Sequence, residues 1–118
     1  MSNPPDVKIG MVKNVWTRAM HFKEAGDIEQ CHTHQFHHAT LVAHGSVQVT
    51  AKGKTTVFKA PHLIWMNKDV EHELMALEPN TVCACIHGLR DENEEIVDPD
   101  SIPDGVTYEA SSRKSLLP

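Results

Sequence analysis

Long hydrophobic runs are missing from this 118-residue chain, and so are basic clusters and plausible cysteine pairs. No apolar stretch approaches the roughly 18 residues of a membrane-spanning helix, so no membrane partner is expected. The opening MSNPPDVKIG has no charged segment leading into an apolar one, so no secretory signal is expected. Eleven Lys and Arg are outnumbered by sixteen Asp and Glu, which leaves a formal charge of −5. Binding to a phosphate backbone needs a basic face, so nucleic acid is not an expected partner. Cysteine is sparse and odd in number: Cys31, Cys83 and Cys85. An i, i+2 pair on one strand makes a poor disulfide, and an odd count suits a reducing compartment. A cytoplasmic location is the expectation.

Helical periodicity is scarce as well. The chain is a series of short extended segments, each stopped by turn-forming residues. VWTRAMHF precedes Gly26-Asp27, ATLVAH precedes Gly45, and SVQVTA precedes Lys52-Gly53-Lys54. TTVFKA stops at Pro61, LIWM at Asn67-Lys68-Asp69, HELMAL at Glu78-Pro79-Asn80, and TVCACI near Gly88. In SVQVTA, Val47, Val49 and Ala51 share one face and Ser46, Gln48 and Thr50 the other, which is the period of a strand. Strands this short and this regularly punctuated predict an all-β sandwich or barrel, and a parallel sheet would need helices that are absent from the pattern. One domain fits the length. Residues 1–90 are expected to form it, with a core of about 15–90. Residues 91–118 are expected to be an acidic, partly irregular C-terminal arm in which GVTYEA can add an edge strand.

Imidazole is concentrated in one place: HTHQFHH carries His32, His34, His37 and His38. Residues i and i+2 of a strand project from the same face, so His32 and His34 can converge on one ion. His38 can join them only if the chain turns at Gln35-Phe36-His37. Otherwise it would lie roughly 13 Å along the strand, against metal–nitrogen bonds of about 2 Å. A turn one residue different would bring His37 inward instead.

GDIEQCHTHQFHHATLVAHG resembles the first motif of the cupins, in which a glycine leads to His-x-His, then to a glutamate and a closing glycine. Gly26 opens it, His32 and His34 supply the pair, and Gly45 closes it; the glutamate position falls on His38, exchanging carboxylate for imidazole. The second cupin motif matches NKDVEHELMA more loosely. Asn67, Asp69 and Ala76 replace its proline, glycine and asparagine, and His72 keeps its histidine. The resemblance covers about residues 15–90.

It implies a double-stranded β-helix (jelly-roll) barrel with a metal at its mouth, held by His32, His34, His38 and His72. Four neutral ligands would leave the ion's charge intact and two positions open, which suits a small oxygenated, anionic or enolisable ligand. The metal would be one divalent transition ion, whether Fe, Mn, Ni, Cu or Zn. A metal-dependent enzyme of oxygenase or isomerase type is the first expectation for function. The alternatives are a non-catalytic cupin that holds a sugar or other small ligand, and a metal that only braces the barrel. The resemblance also implies a homodimer.

Phe36 and Leu74 are candidates to border the pocket. Cys83, Cys85 and His87 alternate on one strand face. Facing inward, His87 could act beside the metal and the thiols could oxidise; facing outward, the trio would be inert. A structural zinc site of Cys31, His34, Cys83 and Cys85 is a weaker alternative, since Cys-x-Cys is tighter than the usual knuckle.

Overall fold

The computed structural model describes residues 2–32, 37–102 and 107–110, and for residues 31, 32 and 107–110 it gives the backbone alone. His34 and Phe36 therefore lie outside the described residues. The segments anticipated from the turn punctuation are strands β2 (Val15–Phe22), β4 (His38–His44), β5 (Ser46–Ala51), β6 (Lys54–Lys59), β7 (His62–Met66), β8 (His72–Ala76) and β9 (Thr81–Gly88). Three more join them: β1 (Asp6–Val12), β3 (Ile28–His32) and β10 (Thr107–Ala110). Helix is confined, among the described residues, to one 3-10 turn at Pro99–Ser101.

Two antiparallel sheets face each other, a larger one ordered β10-β1-β2-β9-β4-β7 and a smaller one ordered β3-β8-β5-β6. From β3 to β9 the chain passes back and forth between them. This crossing is the topology of the double-stranded β-helix, and it confirms the all-β expectation. In the tail, β10 pairs with β1, Ile9 opposite Ala110 and Val12 opposite Thr107.

Alternation along each strand decides what is buried. In β2 the even positions Trp16, Met20 and Phe22 are buried. Val47 and Val49 in β5, His72, Leu74 and Ala76 in β8, and Thr81, Cys83 and Cys85 in β9 follow the same rule. Removing these side chains from water is the main driving force for closing the sheets, at about 25 cal/mol per Å² of apolar surface.

Gly45 shows why the closing glycine of the first motif is needed. Its φ is +81°, and a Cβ built on it would stand 2.4 Å from Thr81 Oγ1 and 3.0 Å from Thr81 Cα. Thr81 is fully buried and cannot withdraw; its hydroxyl donates to the carbonyls of Glu78 at 2.9 Å and Ser46 at 3.2 Å. Gly26 also has a positive φ, +92°, yet nothing lies within 4 Å of the Cβ position. Gly45→Ala is expected to cost about 2–4 kcal/mol through combined backbone strain and overpacking, and Gly26→Ala less. Chemical denaturation of both variants checks this, and equal losses would contradict the close-approach reading.

Candidate functional site

Register across the sheets builds the site in layers. On the small sheet, His72 stands opposite Ala51 of β5 on one side and His32 of β3 on the other. On the large sheet, His38 stands opposite Met66 of β7. His38 and His72 are both buried, 2 % and 3 % exposed. Their rings face each other across the barrel, with centroids 5.9 Å apart. Two imidazoles sharing one ion through nitrogen have centroids at most roughly 6.5 Å apart, because each bond is about 2.1 Å. This pair meets that limit.

The alternation of β4 separates the two adjacent histidines. His38 points into the barrel, whereas His37 is exposed. His37 stacks on Trp65, centroids 5.5 Å apart, and its Nδ1 accepts the Lys68 backbone N–H at 3.0 Å. It braces the turn before His72. Asp69, at the family's glycine position in the second motif, keeps the backbone conformation that glycine would supply, with φ +60°. Aspartate tolerates this left-handed region better than most residues do.

His72 is oriented by its own turn. Its Nδ1 lies 3.0 Å from the Val70 carbonyl. A carbonyl only accepts, so Nδ1 carries the hydrogen and Nε2 is the ring atom that could coordinate a metal. Leu74 and Ala76 continue the same buried face, so Leu74 lies one layer below the histidines.

Beneath the histidines lies a charged pair that the sequence reading missed. Across the large sheet, Ile64, Thr40, Cys85, Arg18 and Ile9 are in register. On the small sheet Glu29 stands opposite Leu74. Arg18 donates through Nη1 to Glu29 Oε2, and only 12 % and 3 % of the two side chains is exposed. Glu29 is next to the histidine layer because β3 is bulged: its register shifts between Glu29 and His32. An extra residue on one strand breaks simple alternation, so positions 29 and 32, of opposite parity, both face inward-pointing residues of β8. The available signal was Arg18 itself, a charge on the apolar face Trp16-Arg18-Met20-Phe22. A buried charge needs a partner.

Cys83 and Cys85 face inward, the first of the two orientations that alternation allowed. Burial and the neighbouring Cys85 push the Cys83 thiol up to about 12. Burial also raises Cys85, against smaller lowering effects from Thr40, whose hydroxyl is 3.6 Å from Sγ, and from Arg18. Both stay protonated at neutral pH, so the expected susceptibility to oxidation, which needs thiolate, is not supported. His87 is half-buried against Trp16, centroids 4.7 Å apart. Burial lowers its pKa most; the Gly88 carbonyl, which accepts from Nδ1 at 2.8 Å, acts the other way. His87 is therefore neutral at pH 7, with Nε2 as its basic atom.

The remaining histidines serve the frame. His21 and His44 contact Asn80 at 3.0 and 2.7 Å, and His62 packs on Phe58. Among the described residues no group of three His, Cys, Asp or Glu side chains is gathered around one point. That set excludes the side chain of His32 and all of His34. A cavity of about 270 Å³ reaches His72 between β5, β6 and β7.

Residues 24–90 match the family model described as the AraC-like ligand binding domain. Among solved structures, KdgF from Halomonas sp. is similar at 18 % identity and a TM-score of 0.59, over 70 % of this chain and 74 % of that one. An RmlC-like cupin with a double-stranded β-helix fold from Methanocaldococcus jannaschii is similar at 9 % identity and a TM-score of 0.63, over 74 % and 82 %. Oxalate decarboxylase from Bacillus subtilis, which has Mn(II) centres, is similar at 18 % identity and a TM-score of 0.58, over 80 % of this chain but 28 % of that one. No curated protein matches the sequence. At such identities the solved structures speak for the fold, and the family model covers more than half of the chain: it belongs to the AraC-like ligand binding domains, built on the cupin double-stranded β-helix.

Proposed function

We propose that the barrel mouth is a divalent-metal site whose ligands are His32, His34, His38 and His72, and that it binds a small oxygenated molecule. The observation that carries this reading is the buried His38–His72 pair, drawn from opposite sheets at a separation that one ion could bridge. The backbone register of His32 with His72 supports it. So does the hydrogen bond that fixes His72 with Nε2 as its donor to a metal. When bound, Fe, Mn, Ni, Cu or Zn would supply positive charge for chelating oxygens and, where redox-active, electrons.

The chain's own residues limit the chemistry. Glu29 is a buried carboxylate one layer from the histidines, and its Oε2 is taken up by the ion pair with Arg18. His87 is neutral and could take a proton at Nε2. This supports oxygenase- or isomerase-type turnover in which a carboxylate base has no part. The second reading, ligand binding without turnover, is favoured by the family description itself. Steady-state assays with O₂ consumption separate the two.

Ligating imidazoles must be neutral, so metal affinity is expected to fall as the pH drops below about 6.5. His72→Ala is expected to reduce bound metal sharply, and His62→Ala to leave it unchanged. Calorimetric titration with Mn(II) and Zn(II) measures both effects, and equal occupancy in the two variants would sink the ligand assignment.

We also propose a homodimer through the outer face of the large sheet. Ala39 and Leu41 of β4 and Val82, Ala84 and Ile86 of β9 point outward, beside Leu63 and Trp65 of β7, which are 64 % and 63 % exposed. An antiparallel sheet facing water would carry polar residues there. From strand spacings of about 4.8 Å, five strands present roughly 570 Å² on this face, so a pair would bury the roughly 1,000 Å² of a specific interface. Sedimentation should find a dimer that Trp65→Glu converts to a folded monomer. A wild-type monomer at micromolar concentration would contradict this.

A further inference from the structure

The wall of the cavity above His72 has an unusual charge balance. The chain carries sixteen acidic residues against eleven basic ones, yet Lys52, Lys54 and His72 line this cavity and no carboxylate does. The rest of the lining includes Val49, Ile64 and Met66. The neighbouring cavity, of about 370 Å³, is where Asp69 and Glu71 lie, and Lys52 stands on the ridge between the two. Lys54 belongs to the His72 side alone.

Register explains how an exposed lysine comes to stand on the same face of the small sheet as the histidine. Lys54 pairs with Ala51, and Ala51 pairs with His72. Directly opposed residues in a ladder share a face, so Lys54 leaves the inner face of the small sheet. Two strand spacings, roughly 10 Å, separate Lys54 from His72 at the backbone, and the flexible four-carbon lysine stem covers much of that gap. Lys59, five residues on, is exposed like Lys54 but lies outside the cavity lining.

We propose that the ligand of this site is a small organic acid. Its carboxylate is held by Lys54 at the β5–β6 end of the cavity, and its oxygenated other end reaches the histidine layer. The proposal rests on the metal-site reading and names the class of molecule that site takes. An apolar floor with Lys52 and Lys54 at the rim, beside neutral imidazole ligands that leave a bound ion's charge uncancelled, selects against neutral and cationic molecules.

The test is calorimetric titration of the metal-loaded full chain with D-glucuronate and D-glucose, which differ at one carbon in carboxylate against hydroxymethyl. Glucuronate is expected to bind about tenfold or more tightly, the effect of one charge-assisted hydrogen bond. Lys54→Met is expected to abolish that preference and Lys54→Glu to reverse it, with bound metal and melting temperature unchanged. Lys59→Met should retain the preference. Equal affinity for the two sugars, no glucuronate binding, or a preference that survives Lys54→Met would each overturn the proposal. The two readings fail separately. Metal uptake with no acid preference removes the acid site and leaves the metal site. A Lys54-dependent preference in a chain that takes up no metal does the reverse.

Discussion

Strand β8 holds the register on which the barrel mouth depends. It lies between β3 and β5, and through it His72 is set opposite both His32 and Ala51, and Ala51 in turn opposite Lys54. A one-residue slip would turn His72, Leu74 and Ala76 out to solvent and Glu73 and Met75 into the core. Burying Leu74 and Ala76 opposes such a slip, so the same hydrophobic alternation that closes the barrel also aims the histidine. The turn before β8 adds to this. His37 accepts a hydrogen bond from Lys68 there, Asp69 adopts its left-handed conformation, and the Val70 carbonyl fixes the His72 ring.

Polarity inside the barrel is graded by depth. Phe22, Val42, Val47 and Cys83 are fully buried in the apolar part of the core. One layer nearer the mouth, Arg18 and Glu29 neutralise each other between the two sheets. The histidines form the next layer, and lysines stand at the rim of the cavity. Removing one member of the buried pair would strand a charge, a loss of about 3–5 kcal/mol in comparable cases. The pair therefore ties the sheets together beneath the histidines.

The strand pattern was legible because turn residues punctuate it so regularly: seven segments bounded by Gly, Pro, Asn or Asp in the sequence are seven strands in the structure. His72 could be placed on the inner face because Leu74 and Ala76 share its parity. Strand β1 was harder to see, since only Ile9 of its seven residues is deeply buried and the alternation is faint. The bulge in β3 had no sequence signature. A backbone insertion changes parity without changing composition, and so the inward position of Glu29 escaped a reading based on period 2. The rivalry between His37 and His38 was likewise a matter of backbone phase, which β4 settles in favour of His38 as the inward residue. The turn expected at Gln35-Phe36-His37, which would bring His38 to join His32 and His34, falls mostly outside the described residues, as does His34 itself.

The histidine site is tested most directly by elemental analysis of the full chain, purified without added metal and without a nickel-affinity step. Close to one divalent transition ion per chain is expected, lost on dialysis against chelator at mildly acidic pH and regained on neutral reconstitution. A metal-free protein that takes up no Fe, Mn, Ni, Cu or Zn on reconstitution would contradict the metal site and leave His38 and His72 as a buried polar pair in a ligand-binding barrel.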